Sequence, residues 1–424
     1  MAAVMLPSGK ARNEWMISEL RRINSRLDES SRRAKFSTMA KTLQAFFRGS
    51  AQLYWHDLGQ SSLQREFGGE DTCPWICGDL HLGNLGSFHD ADGVVVYDIN
   101  DFDEGVIADY QLDLWRLCTS IILTAQDQSS PRHAPEELMQ ACLRGYLDAI
   151  RTCRKHPRQS RSLVNADTSS GTLHRFLKEV ATSQSRELML ESWSIHAHGA
   201  TVLSVHENRD LQLPPHPVIE SIAAAIREYA KRQATLLLRR KGPHIASIAS
   251  RLHAGLGAYG LSRYYVLVED PKHQDLLILD LKHQPIPSPW PYLPKDLRRR
   301  VNRSCDGSSG GRVMAAQERL GFHVDPYLGH VELTGGSFSV RERSPWKAAL
   351  PNDDFDHDCL EQVGGLVGRA HARSDPAFAL ALHRRIRDEA DRFIAHTSEI
   401  ASAYAEQVKK DWSSFRSRLR HGIL

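Results

Sequence analysis

The eight residues 77–84 read CGDLHLGN and form the densest group of chemically reactive side chains in the 424-residue chain. Asp79 and Asn84 are separated by four residues, which gives the spacing D-x-x-x-x-N. Catalytic loops of phosphoryl transfer use this spacing, because the Asp orients or deprotonates the attacking hydroxyl while the Asn holds a magnesium ion. The spacing alone is common by chance, so its meaning depends on the motifs that accompany it.

The second motif follows closely, since residues 94–104 read VVVYDINDFDE. The apolar run 94–97 predicts a buried strand, and the strand delivers Asp98, Asp101, Asp103 and Glu104 within seven residues. So much negative charge is unfavourable unless a cation compensates it, and magnesium with nucleotide phosphates is a suitable cation because it prefers hard oxygen ligands. The alternative is a polar turn whose acids are exposed or cap the next helix.

The third motif is the G-x-G-x-x-G sequence GLGAYG at residues 255–260. A dinucleotide-binding glycine loop precedes a helix, whereas this loop precedes two predicted strands, 264–268 and 276–281, joined as a hairpin. A glycine loop before such a hairpin is the arrangement of kinases, and the hairpin ends in Lys282, placed like the lysine that contacts nucleotide phosphates. The alternative for Lys282 is an ordinary solvated side chain. Downstream, periodicity predicts a helix over 312–320 and helical structure over 376–418.

Taken together, these motifs resemble known proteins. Residues 77–84 resemble the catalytic loop of aminoglycoside and choline phosphotransferases, and the whole set is similar to an uncharacterised bacterial family known as a domain of unknown function. The resemblance covers roughly residues 35 to 400 and implies a kinase-like fold, without an established substrate. Its hallmarks are FRG at 47–49, GDLHLGN at 78–84, NDFDE at 100–104 and AHAR at 370–373.

The resemblance implies a role for each site residue. Asp79 is the expected catalytic base, Asn84 a metal ligand, and Asp101 the main metal ligand, with Asp98 and Asp103 nearby. Expected nucleotide contacts come from Gly255, Gly257 and Gly260 over the phosphates, from Lys282, and from Glu318 as the ion-pair partner of Lys282, with Gln317 an equal contender for that pairing.

Three further residues carry open alternatives. Asp113 either braces the catalytic loop from the following helix or caps that helix. Arg48 either reaches the acidic site or forms a surface ion pair. Cys77 stands where related phosphotransferases carry His, so the hydrogen bond that supports the loop must differ. Two other departures concern the nucleotide side, where His283 follows Lys282 and no Ser follows Gly257.

The order of the motifs is unusual for a kinase, because the catalytic loop and acids precede the glycine loop and lysine. We therefore predict an α+β, protein-kinase-like two-lobed fold that is circularly permuted, with a mostly helical large lobe and a small antiparallel-sheet lobe. Permutation is physically possible where the termini lie close together at the surface. The predicted divisions are 1–70, a helical N-terminal extension; 71–243, the catalytic loop, metal-binding acids and helical lobe; 244–350, the small β lobe; and 351–424, C-terminal helices packing on the helical lobe.

Composition excludes several classes of protein. Lys and Arg number 54 against 51 Asp and Glu, which leaves a formal charge of +3 and no reason to expect a nucleic-acid or membrane partner. The seven cysteines are odd in number and scattered, so a disulfide scaffold is not expected. The N-terminus has no sustained apolar stretch typical of a signal peptide, and we expect a cytoplasmic protein.

The sequence thus predicts a phosphotransferase that uses ATP and Mg²⁺ and acts on an unidentified hydroxyl acceptor. The main alternative is a nucleotide-binding pseudokinase or interaction module without turnover. Nucleotidyl transfer remains open on the same motifs. A two-metal phosphoesterase is a weaker alternative, because it requires a D-x-H motif upstream of Asp79 and a G-N-H motif downstream, where the chain has GNL at 83–85.

Overall fold

The computed structural model describes residues 9–128, 133–197, 199–232, 244–252, 259–270 and 275–422. Within these ranges the chain has the predicted α+β class, with many helices and a six-stranded antiparallel sheet. No helix of the described ranges combines the length and the apolar character needed to cross a lipid bilayer.

The helices are numbered here in chain order. They are α1 (Gly9–Ile23), α2 (Glu29–Met39), α3 (Leu43–Gly49), α4 (Ala51–Leu58), α5 (Gln111–Asp127), α6 (Pro135–Lys155), α7 (Gly171–Ser183), α8 (Arg186–Trp193), α9 (His216–Arg232), α10 (Lys295–Ser304), α11 (Ser309–Leu320), α12 (His357–Ser374), α13 (Phe378–Ile386) and α14 (Ala390–Arg420).

The strands are β1 (Trp75–Ile76), β2 (Leu85–His89), β3 (Val95–Ile99), β4 (Val106–Ile107), β5 (Ser194–Ala197), β6 (Ala200–Leu203), β7 (Leu211–Gln212), β8 (His244–Arg251), β9 (Arg263–Asp270), β10 (Asp275–His283), β11 (Gly329–Leu333) and β12 (Gly336–Glu342). The main sheet has the order β11-β12-β10-β9-β8-β7, and β1 with β4, β2 with β3, and β5 with β6 form two-stranded antiparallel pairs.

The main sheet is covered by apolar residues on both faces, which explains the continuous apolar run of β9. Val266 packs into one cluster with Ile226 of α9, whereas Leu267, which points to the opposite face, packs into another with Met189 of α8. Successive side chains of a strand alternate between faces, so a strand buried on both sides needs apolar residues at every position.

The largest core joins the N-terminal helices to the middle and the end of the chain. It contains buried residues of α1 to α4, of the β1 region, of α5 and α6, and of α12 to α14. Helix α5 lies at its centre, since every residue from 111 to 125 is buried. The described part of the predicted N-terminal extension, residues 9–70, is mostly helical, and its helices pack into the same core as the loop of residues 77–84.

Most of the helices and strands that the sequence predicted agree with the structure. The predicted strand 94–97 corresponds to β3, and the predicted hairpin 264–268 and 276–281 forms the middle of β9 and β10. The predicted helical structure over 376–418 is confirmed, and it divides into α13 and α14 at Arg387, whose φ is 40°. Strand β8 had no counterpart in the sequence-based prediction.

Helices α6 and α12 cross so closely that glycines are required at the contact. A Cβ added to Gly364 would lie 1.8 Å from the carbonyl oxygen of Cys142, and one added to Gly145 would lie 2.0 Å from the carbonyl oxygen of Glu361. Both obstacles are backbone atoms, so they can be relieved only by moving the helices apart.

Gly364→Ala should therefore lower the free energy of unfolding by about 1–3 kcal/mol, the usual cost of overpacking a tight core. Gly365→Ala is the matched control, because its Cβ would meet the flexible side chain of Arg369 at 3.3 Å and the Gly145 carbonyl oxygen at an ordinary 3.8 Å. Since Ala is the better helix former, the control should be neutral or slightly stabilising. Chemical denaturation measures both, and equal stabilities of the two variants would contradict the close helix crossing.

Candidate active site

The loop after β1 carries Asp79 in a conformation that depends on Gly78. Gly78 has a φ of 78°, and a Cβ at this position would lie 2.2 Å from the carbonyl oxygen of Glu104. The backbone N–H groups of Cys77 and Gly78 donate to the Asp113 carboxylate at 2.7 and 2.9 Å. The indole of Trp55 donates to the Gly78 carbonyl at 2.7 Å. The loop is thereby fixed from α5 and α4 together.

Asp113 consequently acts as the brace rather than the cap. Helix α5 begins at Gln111 after Tyr110, and Asp113 lies in its first turn with its carboxylate directed to the loop. Its Oδ2 also lies 3.3 Å from Nε2 of His371, whose Nδ1 lies 3.0 Å from the Tyr146 hydroxyl. His371, the histidine of the AHAR motif at 370–373, therefore supports the loop of residues 77–84 through Asp113. The sequence analysis assigned no role to this histidine.

Asp79 is held by Arg116 of α5, a residue that the sequence reading missed. The Arg116 Nε donates to Asp79 Oδ1, and its guanidinium lies over the ring of Phe47, 4.0 Å from the centroid. Burial raises the pKa of Asp79 to about 6, although Arg116 opposes the shift. The Asp79 side chain is 14% exposed, so one carboxylate oxygen is anchored while the group still borders solvent.

Asn84 turns back towards Asp79, as the D-x-x-x-x-N spacing predicts. Its Nδ2 donates to the Asp79 carbonyl oxygen at 2.8 Å. This bond leaves Oδ1 as the amide atom suited to a cation. The backbone carbonyl of Asn84 accepts a hydrogen bond from the N–H of Asn100 at 2.9 Å. This bond joins the loop of residues 77–84 to the acidic segment of residues 98–104.

Asp101 and Asp103 surround the ammonium group of Lys282. The Lys282 Nζ lies 3.9 Å from Asp101 Oδ2 and forms a closer ion pair with Asp103. Burial would raise the pKa of Asp101, but Lys282, with Arg341 and Lys347, holds it well below its ordinary range. Asp101 in turn contributes to the raised pKa of Asp79. The predicted base, the acidic segment and the predicted lysine thus meet in one site.

Lys282 is charged in this setting despite its burial. Burial lowers the pKa of its amine, and Asp101 and Asp103 raise it above the ordinary value. Lys282 pairs with Ser339 in one neighbouring strand and with Arg263 in the other, which fixes its position in the middle of the sheet. The strand register therefore directs the ammonium towards the acids.

The observed ion-pair partner of Lys282 differs from the predicted one. No ion pair joins Lys282 to Glu318 within the described part of the chain, and Glu318 is exposed. Helix α11 buries Val313, Ala316 and Gln317 on its inner face, so the phase of the helix turns Glu318 outward. The prediction of a Glu318–Lys282 pair was wrong, and Asp103 provides the carboxylate instead.

Helix α11 does reach the site, through Arg312. This buried guanidinium donates to the carbonyl oxygens of Gly105 at 2.8 Å and of Asp103 at 2.7 Å. The sequence did contain a signal for this role of Arg312. This charged residue lies one helical turn before Ala315 and Ala316, at a position where solvent exposure is not expected.

Asp98 lies against arginines. Its Oδ2 is 3.6 Å from a guanidinium nitrogen of Arg373, and its Oδ1 accepts from the N–H of Ile99 at 2.8 Å. Burial raises the pKa of Asp98, while Arg373 and Arg369 lower it. Among the described residues its ionic partner is therefore Arg373, which favours Asp101 and Asp103 over Asp98 as ligands for a cation.

The remaining predicted residues are only partly described. Gly255 and Gly257 lie outside the described residues. Gly260 has a φ of 70°, and a Cβ there would lie 2.1 Å from Cδ2 of Leu27. The turn between α1 and α2 therefore packs against the end of the glycine loop.

The structure shows what the side chains of Arg48 and Cys77 lie against. Arg48 is exposed, and a Cβ on Gly83 would lie 3.1 Å from its guanidinium, so Arg48 stands beside the catalytic loop. It also lowers the pKa of Asp79, which is consistent with the alternative that it reaches the acidic site. Cys77 donates its thiol to the Asp101 carbonyl oxygen at 3.2 Å, which is the altered support of the loop.

Comparison with known proteins confirms the resemblance to a bacterial family of unknown function. Residues 26–418 match the family described as an uncharacterized protein conserved in bacteria, DUF2252. The chain belongs to this family. No curated protein and no solved structure was found to match it. Every residue of the site described above lies within the matched range.

Asp113→Asn should lower the free energy of unfolding by about 2–3 kcal/mol, because an amide cannot accept both buried N–H groups that the carboxylate accepts. The control is Asp388→Asn, an exposed carboxylate, which should change stability by no more than about 0.5 kcal/mol. Urea denaturation of the two variants and the wild type provides the comparison. An Asp113→Asn protein as stable as the control would exclude the bracing role.

Proposed function

We propose that this protein is a phosphotransferase that uses ATP and Mg²⁺ to phosphorylate a hydroxyl group of an acceptor. One observation carries the proposal: the loop of Asp79 is hydrogen-bonded to the acidic segment through Asn84 and Asn100, and Lys282, about two hundred residues away along the chain, reaches Asp101 of that segment. Chance resemblance of short motifs gives no reason for such convergence.

The order of elements around the sheet supports a kinase-like arrangement. The segment that contains the glycine loop joins β8 to β9, and Lys282 lies on the next strand, β10. Kinases also carry the glycine loop ahead of a lysine on the third strand. Helix α11 and strands β11 and β12 follow, and in the proposed arrangement α12 would correspond to the helix that precedes a kinase catalytic loop. We infer a circular permutation, since the catalytic loop itself comes earlier in the chain.

The donor set fits magnesium, because Asp101, Asp103 and the Oδ1 of Asn84 are hard oxygen ligands. A magnesium ion held there would neutralise charge on the transferred phosphoryl group. Lys282 would bind phosphate oxygens, and Asp79 would orient the acceptor hydroxyl and accept its proton. Arg116 fixes the orientation of Asp79 and keeps its pKa from rising further. In such a site, catalysis consists mainly of positioning and electrostatic stabilisation.

The second candidate is a nucleotide-binding module without turnover. The ion pair of Asp79 with Arg116 favours it, because this pair engages the carboxylate that would serve as base. Nucleotidyl transfer would use the same phosphate-binding residues, and mass spectrometry of the products formed from ATP distinguishes it from phosphoryl transfer by the mass added to the acceptor.

Asp79→Asn should reduce Mg²⁺-dependent ATP turnover in the presence of bacterial cell extract by about 10²–10⁴-fold, the usual contribution of a positioned acid or base. Nucleotide affinity should remain, because the phosphate-binding residues are unchanged. Asp388→Asn serves again as the control and should turn over at the wild-type rate. Equal turnover by the wild type and Asp79→Asn, with nucleotide still bound, would favour the binding module.

The pH profile should carry the signature of Asp79. Only the deprotonated carboxylate can accept a proton, and burial raises its pKa to about 6. Turnover should therefore be constant at higher pH and fall as the pH drops through about 6. Circular dichroism over the same range serves as the check that the fold persists. A profile that stays flat down to the pKa of an ordinary aspartate, about 4, would remove Asp79 from the proton transfer.

A further inference from the structure

A cavity of about 250 Å³ lies beside the acidic site, between the β2–β3 pair and the main sheet. Its wall includes Asn100, the residue before Asp101, and Gln317 of α11. Arg341 and Lys347, which also line it, act on the charge of Asp101. The cavity therefore borders the acidic segment at Ile99, Asn100 and Phe102.

The lining of the cavity is strongly charged. Five basic side chains, Arg251, Arg263, Arg341, Arg343 and Lys347, face three acidic ones. Pockets for flat organic ligands are mainly apolar and aromatic, with few polar groups. Phe88, Phe102 and Tyr265 also line the cavity, but eight of its seventeen lining residues are charged, so a phosphate group is a better match than a nucleobase.

The acids of the cavity already have partners. Asp280 receives the guanidinium of Arg263, with Nε to Oδ1 at 2.7 Å. Glu342 pairs with Arg186 and lies 3.3 Å from His89. The third acid, Asp325, accepts backbone N–H groups, including that of Tyr327 at 2.8 Å.

Three of the cations, in contrast, have no carboxylate within 4.0 Å in the described ranges. Arg341 donates to the Asn100 carbonyl oxygen at 3.1 Å. Arg343 lies 4.6 Å from the centre of the Trp193 ring, and its buried Nε has no hydrogen-bond partner among the described residues. Lys347, which is exposed, has its pKa lowered, first of all by the neighbouring charge of Arg341. Arg341 and Lys347 are thus held close together with no carboxylate at ion-pair distance, and Asp101 acts on their charges only from farther away.

We propose that the cavity is a phosphate-binding subsite, in which Arg341, Arg343 and Lys347 hold a phosphate group of a ligand that extends towards Asp101. Guanidinium groups suit phosphate oxygens because they offer several donors in a fixed plane. The proposal that an anion binds here is supported by the cavity and its lining residues alone. Only the link between this anion and phosphoryl transfer rests on the proposed function. The phosphate comes either from the nucleotide, entering with its phosphate chain in the cavity, or from a phosphorylated acceptor.

Isothermal titration calorimetry with inorganic pyrophosphate, without magnesium and at low salt, tests the subsite. We expect the wild type to bind pyrophosphate, and Lys347→Met to bind it about tenfold more weakly. Lys178→Met, which removes an exposed lysine from α7, should bind like the wild type. Because Lys347 is exposed, its variant should fold, and Arg343→Gln provides a second test inside the cavity.

Competition then identifies the ligand. If ATP displaces pyrophosphate and adenosine does not, the nucleotide phosphates occupy the cavity. If ATP and pyrophosphate bind together, and Lys347→Met weakens only pyrophosphate, the cavity receives a phosphorylated acceptor. The proposal is overturned if adenosine displaces pyrophosphate, or if both variants bind pyrophosphate like the wild type. These results are independent of turnover: a protein without Asp79-dependent turnover that binds pyrophosphate through Lys347 would refute the proposed function and leave the subsite intact.

Discussion

Compensation of buried negative charge is the constraint on which the site depends. Asp79, Asp101, Asp103 and Glu104 lie within 26 residues of one another along the chain and in one region of the structure. Burial and the nearby charge of Asp79 raise the pKa of Glu104 to about 7. Such charges are tolerated in a protein interior only when cations or hydrogen-bond donors accompany them. The rest of the chain supplies these groups from three separate elements.

Each element contributes one cation, and two of the three cations pair directly with an acid. Arg116 comes from α5 and pairs with Asp79, while Lys282 comes from β10 and pairs with Asp103. Arg312 of α11 donates to the backbone carbonyls around the acids. Because these cations belong to both the helical part and the sheet, the acids connect the two parts electrostatically. Removing one partner of such a buried pair costs more than the pair itself contributes, since a charge is left without compensation.

The sequence predicted the members of the site better than their pairings. The motifs identified Asp79, Asn84, Asp101 and Lys282 because their spacing is constrained by local chemistry and can be read along the chain. The partner of Lys282 could not be read in this way, since it depends on the rotation of α11, which places Gln317 inside and Glu318 outside. Arg116 was missed for a similar reason, because it lies within a helix whose stripe of Leu and Ile suggested only a core.

Strand β8 and the N-terminal helices show a second limit of sequence reasoning. The sequence of β8, HIASIASR, contains small and polar residues that resemble a loop, and its strand state comes from pairing with β9. The 1–70 segment was predicted as an extension, but Phe47 stacks on Arg116 and Trp55 binds the Gly78 carbonyl. Local propensity contains neither interaction, because both depend on tertiary contacts.

On the proposed function, the pairing of Lys282 with Asp103 has a consequence for how ligands would bind. The ammonium occupies the position beside the acids that a divalent cation would share, so the lysine compensates their charge by itself. A magnesium ion on Asp101 and Asp103 would weaken that pairing and leave Lys282 available to phosphate oxygens. Metal and phosphate would then favour each other's binding, because the metal replaces Lys282 beside the acids and the phosphate replaces the acids beside Lys282. The same balance explains why Arg341 and Lys347 need no carboxylate at ion-pair distance: they lower the cost of the negative charge of Asp101, and Asp101 lowers the cost of their positive charge from farther away.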